Sequence, residues 1–521
     1  MQIAVLGGGL SGLGAAHALA HRFPAAQLLL FERGRPLGGW AQSLRHGRIL
    51  LEGGPRTLRP NGAAALELIR ALGIEDQLLV VPKSSPASKN RYVYIRPGQL
   101  PGLSGLCVVG PSLLRQFLWP IIRAPLRYAL YKNAPDGQDE SVDSFMSRIL
   151  GDDMATALGS ALIHGIYAAD SRQLSAHATL PFFSSKDRKK FLENSASNFE
   201  SDVLQPWPNV GNLHNKLEHA SAFSFKDGME TLTRALEEHL EAKSNVQIFR
   251  ESPVLNLAMR KDRTMQLSYF RSGSTSTSVS TINPTHVVSA LPLPTLHSIT
   301  QPRNTHDTLP SNVPLHLNAN PSSSVHVLNL VFPGPPANIH PSGFGYLIPR
   351  PREGYPTQAT DAQPGILGVV FDSCTCSEQD GSNLTPEEWY HKGTHTKITV
   401  MLGGPYPLYI PPTTPNFPTS TTDIPHPIQI ILKHLSTHFF QLKSNYALPP
   451  PIYYHLWRNV NCIPTYLPGH RSRMDEMKTM LKKDVSEGGW NGKLEVIGAG
   501  VDGVSVPDCL LAGRNAGLSW L

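Results

Sequence analysis

Cysteine, charge and long apolar runs are all scarce in this chain of 521 residues. Its five cysteines are too few, and odd in number, for the disulfide framework of a small secreted protein. Charged residues make up 17% of the sequence, against roughly 25% in typical soluble domains, and the net charge of +6 gives no argument for a nucleic-acid partner. No apolar run reaches the ~18 residues of a membrane-spanning helix, which excludes a polytopic membrane protein and leaves a monotopic one open.

Hydrophobic residues make up an ordinary 40% of the chain, which excludes a disordered protein. The length allows roughly two to four domains, with cores that need no disulfide or metal in order to fold. The 46 prolines, together with 43 glycines, predict many ordered turns and some long loops.

The N-terminal segment predicts a nucleotide-binding βαβ unit. Residues 2–6 are an apolar run typical of a buried parallel strand, residues 7–12 match G-x-G-x-x-G, and residues 13–20 are helical in character. A second apolar run at residues 27–31 ends at Glu32. In this motif the glycines allow a tight turn, close approach to a pyrophosphate and close helix packing, while the acid binds a ribose hydroxyl. A glycine-rich turn without a ligand is the alternative, and the five features in register favour the nucleotide site.

Two further glycine-containing segments distinguish an FAD site from an NAD site. Arg33 begins an R-x-x-x-x-G-G stretch that ends at Gly39 and is followed by Trp40, and residues 53–56 are Gly-Gly-Pro-Arg. These stretches resemble the second signature of the glutathione-reductase-like FAD family, which includes amine oxidases, phytoene desaturases and protoporphyrinogen oxidases. An acid rather than an arginine at the ribose position disfavours a 2′-phosphate.

The C-terminal segment predicts a second βα unit. Residues 494–497 are strand-like, and a helix begins near Pro507, which suits a first helical turn. In the FAD family this helix points its N-terminus at the flavin pyrimidine, where its dipole favours the negative charge of the reduced ring. An ordinary terminal βα unit without a ligand is the alternative.

Several segments in the middle of the chain match one family pattern in order. They are residues 54–60 (G-P-R-T-L-R-P), 90–94 (N-R-Y-V-Y), 139–145 (D-E-S-V-D-S-F), 164–170 (H-G-I-Y-A-A-D), 343–349 (G-F-G-Y-L-I-P) and 462–466 (C-I-P-T-Y). Together they resemble the oxygen-dependent protoporphyrinogen oxidase family. Ala169 stands where that family usually has glycine, Thr465 where it has glutamine, and residues 498–502 replace its G-N-S-Y stretch. None of these departures removes a charged functional group.

The resemblance implies a flavoenzyme. The implied reaction is the six-electron oxidation of protoporphyrinogen IX to protoporphyrin IX in haem biosynthesis, through three hydride transfers to non-covalent FAD and reoxidation by dioxygen to hydrogen peroxide. No catalytic acid or base is predicted, because tautomerisation towards the conjugated product can proceed without one. No metal site is predicted, since Cys374 and Cys376 lack a second pair of ligands. A flavin amine oxidase, a carotenoid desaturase-like enzyme and a flavin-binding protein without turnover are the alternatives.

The resemblance also assigns residues to the two ligands. Arg91 is the cation for a propionate, Gly165 approaches the macrocycle through its backbone, and Leu330 and Met401 sandwich pyrrole rings. A solvated surface arginine is the alternative for Arg91, and plain strand core is the alternative for Leu330 and Met401. The residues expected to bind FAD are Gly7, Gly8, Gly9, Leu10, Ser11, Gly12, Glu32, Arg33, Gly39, Trp40, Gly54, Pro55, Arg56, Thr57, Val254, Trp457, Val504, Ser505 and Val506.

The distribution of charge predicts a membrane-associating segment. Residues 91–135 contain no Asp or Glu, and within them residues 113–131 are basic and amphipathic, which indicates monotopic contact with an anionic bilayer. A helix packed on the protein with snorkelling arginines is the alternative. The resemblance further implies product transfer to ferrochelatase, a homodimer and, in a eukaryote, the mitochondrial inner membrane, reached without a cleavable presequence.

The predicted fold class is α/β with a discontinuous Rossmann-like domain. The FAD-binding domain is expected to combine residues 1–85, 226–300 and 475–521. A helical, membrane-associating insert is expected at residues 86–205, and an antiparallel-sheet substrate domain at residues 206–225 and 301–474.

Overall fold

The computed structural model describes residues 1–60, 62–100, 102–110, 139–180, 213–271, 278–301, 312–418, 424–440 and 447–521. The predicted membrane segment at residues 113–131 lies outside these ranges. Among the helices that the structure describes, none is both long enough and apolar enough to cross a bilayer.

The described strands and helices are numbered separately in chain order. The strands are β1 (Gln2–Leu6), β2 (Gln27–Phe31), β3 (Ser43–His46), β4 (Ile49–Glu52), β5 (Leu78–Pro82), β6 (Arg91–Leu100), β7 (Leu103–Val108), β8 (Ala220–Phe225), β9 (Val246–Phe249), β10 (Val254–Met259), β11 (Met265–Arg271), β12 (Ser278–Ile282), β13 (His286–Ser289), β14 (Ser322–Pro333), β15 (Gly345–Leu347), β16 (Ile366–Val370), β17 (His395–Gly403), β18 (Tyr453–Pro464) and β19 (Leu494–Val496). The helices are α1 (Leu10–Arg22), α2 (Ala63–Ala71), α3 (Pro86–Lys89), α4 (Val142–Leu150), α5 (Asp152–Met154), α6 (Ser160–Tyr167), α7 (Ala176–Thr179), α8 (Leu213–Leu217), α9 (Glu230–Glu241), α10 (Leu293–Thr300), α11 (Asp372–Thr375), α12 (Pro386–Lys392), α13 (His426–Phe440), α14 (His470–Lys482) and α15 (Val506–Asn515).

A five-stranded parallel sheet of order β19-β13-β1-β2-β9 carries the nucleotide motif. Alternate residues of β1 pack into cores on opposite faces of the sheet. Ile3 and Val5 pack into the core formed with α1, α2, α9 and α15. Ala4 and Leu6 pack into the core formed with α10 and α14. Because both faces of the sheet are covered, its central strands β1 and β2 are apolar after their first residue. The predicted strands at residues 2–6 and 27–31 are confirmed, and the helix between them is longer than the pattern indicated.

A seven-stranded sheet of order β18-β14-β17-β16-β15-β6-β7 forms the second layer of the molecule. Its neighbouring strands run antiparallel except for β15 and β6, which are parallel. One face of β14 packs into a core that contains Leu328, Leu330 and Phe332. The opposite face turns towards the five-stranded sheet, so the space between the two layers is where a ligand can be enclosed.

Residues 91–108 are not part of a helical insert, contrary to the prediction for residues 86–205. They form β6 and β7, and β6 pairs in parallel with β15, about 250 residues further along the chain. The alternating aromatic and β-branched residues at the start of β6 explain this strand, because such residues suit a half-buried pleated surface. Helices α4 to α7 occupy the later part of the predicted insert, from residue 142 to residue 179.

Residues 220–225 also depart from their predicted domain. They form β8, which pairs with β5, and Phe223 and Phe225 pack into the same core as α1 and α2. This segment therefore belongs with the nucleotide-binding layer rather than with the substrate domain to which residues 206–225 were assigned. The rest of the domain division stays a prediction.

Candidate active site

One cavity of about 2040 Å³ lies between the two sheets. Cavities that hold a single small molecule usually measure about 300–1,000 Å³, so this one has room for a large cofactor together with a second ligand. Its cofactor half is lined by the loops after β1 and β2, by residues 54–57 and by the start of α15. Its substrate half is lined by the seven-stranded sheet and by residues 158–166.

Backbone geometry at the end of β1 makes the cofactor half suitable for a pyrophosphate. Gly7 has a φ of +96°, which forms the tight turn, and Gly9 caps α1 without any side-chain hydrogen bond to its first turn. The N–H groups of that turn remain available to an anion, which the helix dipole also favours. Gly12 lets α1 approach the turn, since a Cβ there would lie 1.8 Å from the carbonyl oxygen of Gly7.

The carboxylate of Glu32 is held in place by two backbone donors. The Gly8 N–H donates to its Oε2 and the Gly34 N–H donates to its Oε1, each at 2.8 Å. A carboxylate has further lone pairs, so Glu32 can still accept hydrogen bonds from ribose hydroxyls in the cavity that it lines. Gly8 itself does not line the cavity, and its role is to orient Glu32.

The second glycine segment meets the first at the cavity wall. The Gly38 N–H donates to the carbonyl of Gly8 at 2.8 Å, and Gly38 and Gly39 have φ values of +98° and +61°. A Cβ on Gly54 would lie 2.1 Å from the carbonyl oxygen of Trp40, so this loop also packs backbone to backbone. These glycines are therefore required by close approach of the three loops that surround the cofactor half.

Most of the residues predicted to bind FAD line the cavity. They are Gly7, Gly9, Leu10, Ser11, Glu32, Arg33, Gly39, Trp40, Gly54, Pro55, Arg56, Thr57, Val254, Val504, Ser505 and Val506. Gly8, Gly12 and Trp457 do not line it.

Trp457 is connected to the cavity through a buried chain of hydrogen bonds. Its indole N–H donates to Asn329 Oδ1 at 2.9 Å, and Asn329 Nδ2 donates to Thr399 Oγ1 at 2.7 Å. Thr399 donates to Asp372 Oδ2 at 2.6 Å, and Asp372 Oδ1 lies 3.0 Å from Nε of Arg56. Trp457 thus helps to fix the Arg56 guanidinium at the cavity wall.

The start of α15 is more negative than the sequence indicated. Ser505 and Asp508 form a capping box, in which Asp508 accepts from the Ser505 hydroxyl and N–H, and Pro507 carries no N–H. The N–H of Val506 is therefore the one first-turn N–H that remains uncapped, and Val506 lines this part of the cavity. The Asp508 carboxylate offsets part of the helix dipole that was expected to act on a reduced flavin.

The substrate half is predominantly apolar. Leu158, Leu162, Gly165 and Ile166 line it on one side, from α6 and the π-helical turn Ala155–Gly159 before it. Val325 and Val327 of β14 and Met401 of β17 line it on the other side. Gly165 and Met401, which the resemblance assigned to the macrocycle, both line this half, and their contact with the macrocycle stays a prediction.

Leu330 does not contact this cavity, contrary to expectation. Its side chain is fully buried in the core on the other face of β14, beside Leu328 and Phe332. Side chains alternate between the faces of a strand, so the odd-numbered residues Val325 and Val327 reach the cavity and Leu330 cannot.

Arg91 lies in the cavity wall beside a second guanidinium. Its Cζ sits 5.3 Å from the centre of the Phe344 ring, and both Arg91 and Arg59 line the cavity. Burial and the positive charge of Arg59 lower the pKa of Arg91 from its ordinary value. Neither arginine forms an ion pair with a carboxylate among the described residues. Arg59 was overlooked as a site residue, although the motif G-P-R-x-x-R-P contains it.

Comparison with known proteins connects this geometry to a family. The model of flavin containing amine oxidoreductases matches residues 10–388. Protoporphyrinogen oxidase of Schizosaccharomyces pombe is 31% identical, with 99% of this chain and 97% of that protein aligned, and the human enzyme is 30% identical over 100% and 98%. The chain belongs to the protoporphyrinogen oxidase family. Coproporphyrinogen III oxidase of Staphylococcus aureus is also similar, at 25% identity over 46% of this chain.

Solved structures share the fold of this protoporphyrinogen oxidase family member. A protein from Exiguobacterium sp. 255-15 described as a candidate protoporphyrinogen oxidase aligns over 100% of this chain and 98% of its own, with a TM-score of 0.68 and 18% identity. Cyclohexylamine oxidase from Brevibacterium oxydans IH-35A aligns over 99% and 98%, with a TM-score of 0.61 and 14% identity. At these identities the likeness concerns the fold.

Membership of the family makes this chain an FAD-dependent oxidoreductase, and its residues fit FAD. The uncapped first turn of α1 suits the pyrophosphate, Glu32 suits a ribose, and the cavity continues past Arg56 towards the start of α15. FAD supplies the hydride acceptor when bound, while the chain binds, orients and encloses the reacting molecules.

Proposed function

We propose that this chain oxidises protoporphyrinogen IX to protoporphyrin IX with dioxygen as the terminal acceptor. The observation that carries this proposal is one continuous cavity, with a dinucleotide-type wall at one end and an apolar half bearing Arg91 and Arg59 at the other. The macrocycle is apolar and bears propionate groups, so it matches apolar walls combined with cations. The substrate loses six electrons and six hydrogens, and these reduce three molecules of dioxygen to three of hydrogen peroxide.

The chain's own contribution to this reaction is binding and positioning. Leu162, Ile166, Val327 and Met401 exclude water from the ring, and the guanidiniums hold the carboxylates. No buried carboxylate–histidine pair faces the substrate half among the residues that line it, and we assign no catalytic base. Purified holoenzyme is expected to convert protoporphyrinogen IX to a fluorescent porphyrin faster than autoxidation, and fluorescence no faster than without enzyme would reject the function.

Replacing Arg91 by alanine is expected to raise KM for protoporphyrinogen IX about 10- to 100-fold with a smaller change in kcat. A hydrogen-bonded ion pair with a propionate contributes about 1.5–3 kcal/mol to binding, and it is equally present before and during the chemical step. Initial rates of porphyrin fluorescence against substrate concentration measure this. The exposed Arg70 on α2 provides a matched control, and Arg70→Ala should leave KM unchanged. An unchanged KM for Arg91→Ala would remove its propionate role.

We also propose that FAD is bound without a covalent bond. Cys509 and Cys462 are the cysteines among the residues lining the cavity. Burial raises the pKa of each thiol to about 11, so both stay protonated at neutral pH. A protonated thiol is a poor nucleophile, which disfavours attachment to the flavin ring.

We further propose that the mouth of the cavity lies against an anionic membrane. Val109, Leu162 and Ile166 line the cavity and are 39%, 41% and 46% exposed, and the basic amphipathic residues 113–131 follow Val109 closely along the chain. A substrate of low solubility could then enter directly from the bilayer. Transfer to ferrochelatase, a homodimer and the mitochondrial inner membrane are proposals that rest on the family resemblance.

Vesicle binding tests the membrane proposal. Replacing Arg115, Arg123 and Arg127 by glutamate should reduce co-sedimentation with phosphatidylserine vesicles about 100-fold, because each basic residue near an anionic surface contributes about 1 kcal/mol. Binding to neutral phosphatidylcholine vesicles should be weak for both proteins. Equal binding of the variant and the unaltered protein to anionic vesicles would contradict the proposal.

A further inference from the structure

Asn461 stands in a distorted part of β18 at the cavity wall. Ser323 pairs with Ile463 and Val325 pairs with Asn459, so Ser324 of β14 faces three residues of β18. Asn461 is in the left-handed region with a φ of +51°, and its N–H donates to Ser324 Oγ at 2.9 Å. Such bulges redirect a side chain out of the regular alternation of a strand.

This bulge joins the two halves of the cavity. Asn459 at its start donates through Nδ2 to the carbonyl of Gly53 at 2.8 Å, which ties it to the loop beside Gly54 on the cofactor side. Asn461 and Cys462 line the cavity together with Val325 and Met401 on the neighbouring strands. Asn461 therefore lies near the place where a substrate in the apolar half must approach the cofactor.

Most polar side chains of the substrate half are already bonded to the protein. Tyr92 donates to the Ser342 carbonyl, Tyr346 bonds His438, Asn459 bonds Gly53, and Cys462 donates to the Ser323 carbonyl. Among the described residues of the seven-stranded sheet that line this half, the polar side chains with no such partner are Arg91, Ser322 and Asn461. Ser322 begins β14 opposite Pro464, outside the bulge.

The chemistry of the reduced macrocycle indicates what Asn461 can do. Every ring nitrogen of a porphyrinogen carries a hydrogen, so the centre of the ring offers donors and requires an acceptor. A guanidinium has donors only, whereas a carboxamide oxygen accepts two hydrogen bonds. Asn461, which lines the cavity beside the apolar residues Val325 and Met401, thus supplies a carboxamide acceptor there.

We propose that the side-chain oxygen of Asn461 accepts hydrogen bonds from the pyrrole N–H groups and so positions the ring centre at the junction of the two cavity halves. This inference rests on the proposed function and assigns it a positioning residue. Left-handed backbone at a residue other than glycine costs about 1–2 kcal/mol, although asparagine tolerates it better than most residues. A function of the side chain would explain why this position carries asparagine rather than glycine, which adopts the conformation without strain.

Replacement by glycine separates the side chain from the backbone. Asn461→Gly keeps the left-handed conformation, so flavin content and melting temperature should be unchanged or slightly higher. KM for protoporphyrinogen IX should rise about 5- to 10-fold with kcat less affected, as for loss of one or two neutral hydrogen bonds. Asn461→Asp also accepts hydrogen bonds and adopts this conformation, and should keep KM within about threefold of the unaltered enzyme.

Asn491 provides the matched control. It has the same φ of +51° in a turn that does not line the cavity, so Asn491→Gly should leave KM unchanged. An unaltered KM in Asn461→Gly would overturn the proposal and leave Asn461 a residue of the bulge alone. If Asn461→Gly lost its flavin, the test would use flavin-replete Asn461→Asp. A KM raised tenfold in that variant would overturn the proposal, and a near-normal KM would support it. Absence of turnover by the unaltered holoenzyme would instead reject the proposed function.

Discussion

Gly12→Ala protein is expected to be purified without flavin. The new Cβ would lie 1.8 Å from the carbonyl oxygen of Gly7 and 3.0 Å from its carbon, and both atoms belong to the backbone of the tight turn. Relief requires α1 to move away from β1, which displaces the N–H groups that hold the pyrophosphate. Overpacking of this kind costs about 3 kcal/mol, so FAD affinity should fall about 100-fold or more. Absorbance near the flavin maximum relative to protein measures the loss.

Gly14, one half-turn further along α1, is the control for this substitution. A Cβ at Gly14 would have its nearest neighbours, on Gly513 and Leu510, at 3.7 Å, which is ordinary contact. Alanine is also the better helix former, by about 1 kcal/mol, so Gly14→Ala should keep its flavin and melt at the same or a higher temperature. A fully flavinated Gly12→Ala protein would show that close packing of α1 on the turn is not what the cofactor half requires.

Features fixed by neighbours along the chain could be predicted from sequence. The unit β1–α1–β2 was predicted because its glycines, apolar runs and acid act on one another within about 30 residues of sequence. The part of the cofactor half that is lined by the loops after β1 and β2 follows from the same local geometry. Gly8 and Gly12 were predicted to bind FAD but do not line the cavity. Gly8 orients Glu32, and Gly12 allows α1 to pack closely on the turn after β1.

Features fixed by distant pairing could not be predicted in this way. Residues 91–108 form strands because β15 lies alongside β6, and no local pattern near residue 91 reveals that partner. Leu330 and Val327 are both apolar residues of one strand, and which of them meets the ligand depends on the layers packed on each face. Asn461 lines the cavity within a bulge that only the register of β14 and β18 defines.

Acidification is expected to unfold this protein well above the pH at which carboxylates titrate. Seven imidazoles are buried as neutral rings, and burial lowers their pKa from 6.5 to about 3 or 4. Two have a pKa of about 3, His17 and His438, and five have a pKa of about 4, His164, His326, His340, His455 and His470. Below pH 6.5 the unfolded chain binds these protons and the folded chain does not. Stability is therefore fully present above about pH 6.5 and is lost as the pH falls towards these lower values.

Burial is the main cause of the lowered pKa values, and the rings make the contacts of neutral imidazoles. His164 bonds the Ile348 carbonyl through Nδ1 at 2.6 Å and the Tyr355 hydroxyl through Nε2 at 2.7 Å, so its two nitrogens already have one acceptor and one donor arranged for a neutral ring. His340 bonds the Pro341 carbonyl through Nδ1 at 2.9 Å, while its buried Nε2 has no hydrogen-bond partner. A proton added there would be buried without an acceptor.

Each such histidine lowers the free energy of unfolding by about 1.4 kcal/mol per pH unit below pH 6.5. Burial raises the pKa of Glu52 to about 7, which acts in the opposite direction, because the folded state then binds a proton before the unfolded state does. Because the seven histidines outweigh Glu52, the free energy of unfolding should fall steeply below pH 6.5, and with a total stability of about 5–15 kcal/mol the protein should unfold at about pH 5. Urea unfolding followed by tryptophan fluorescence at pH 7.5, 6.5 and 5.5 measures the slope.

His340→Phe should make that slope shallower by about 1.4 kcal/mol per pH unit. The substituted ring can keep its stack on Phe371, whose centre lies 4.1 Å away at an angle of 11°, so the fold should persist at neutral pH. The exposed His391 is the control, since His391→Phe removes a histidine that solvent already surrounds and should leave the slope unchanged. A slope that is equally steep in both variants would show that protons on groups other than the buried imidazoles cause the acid unfolding.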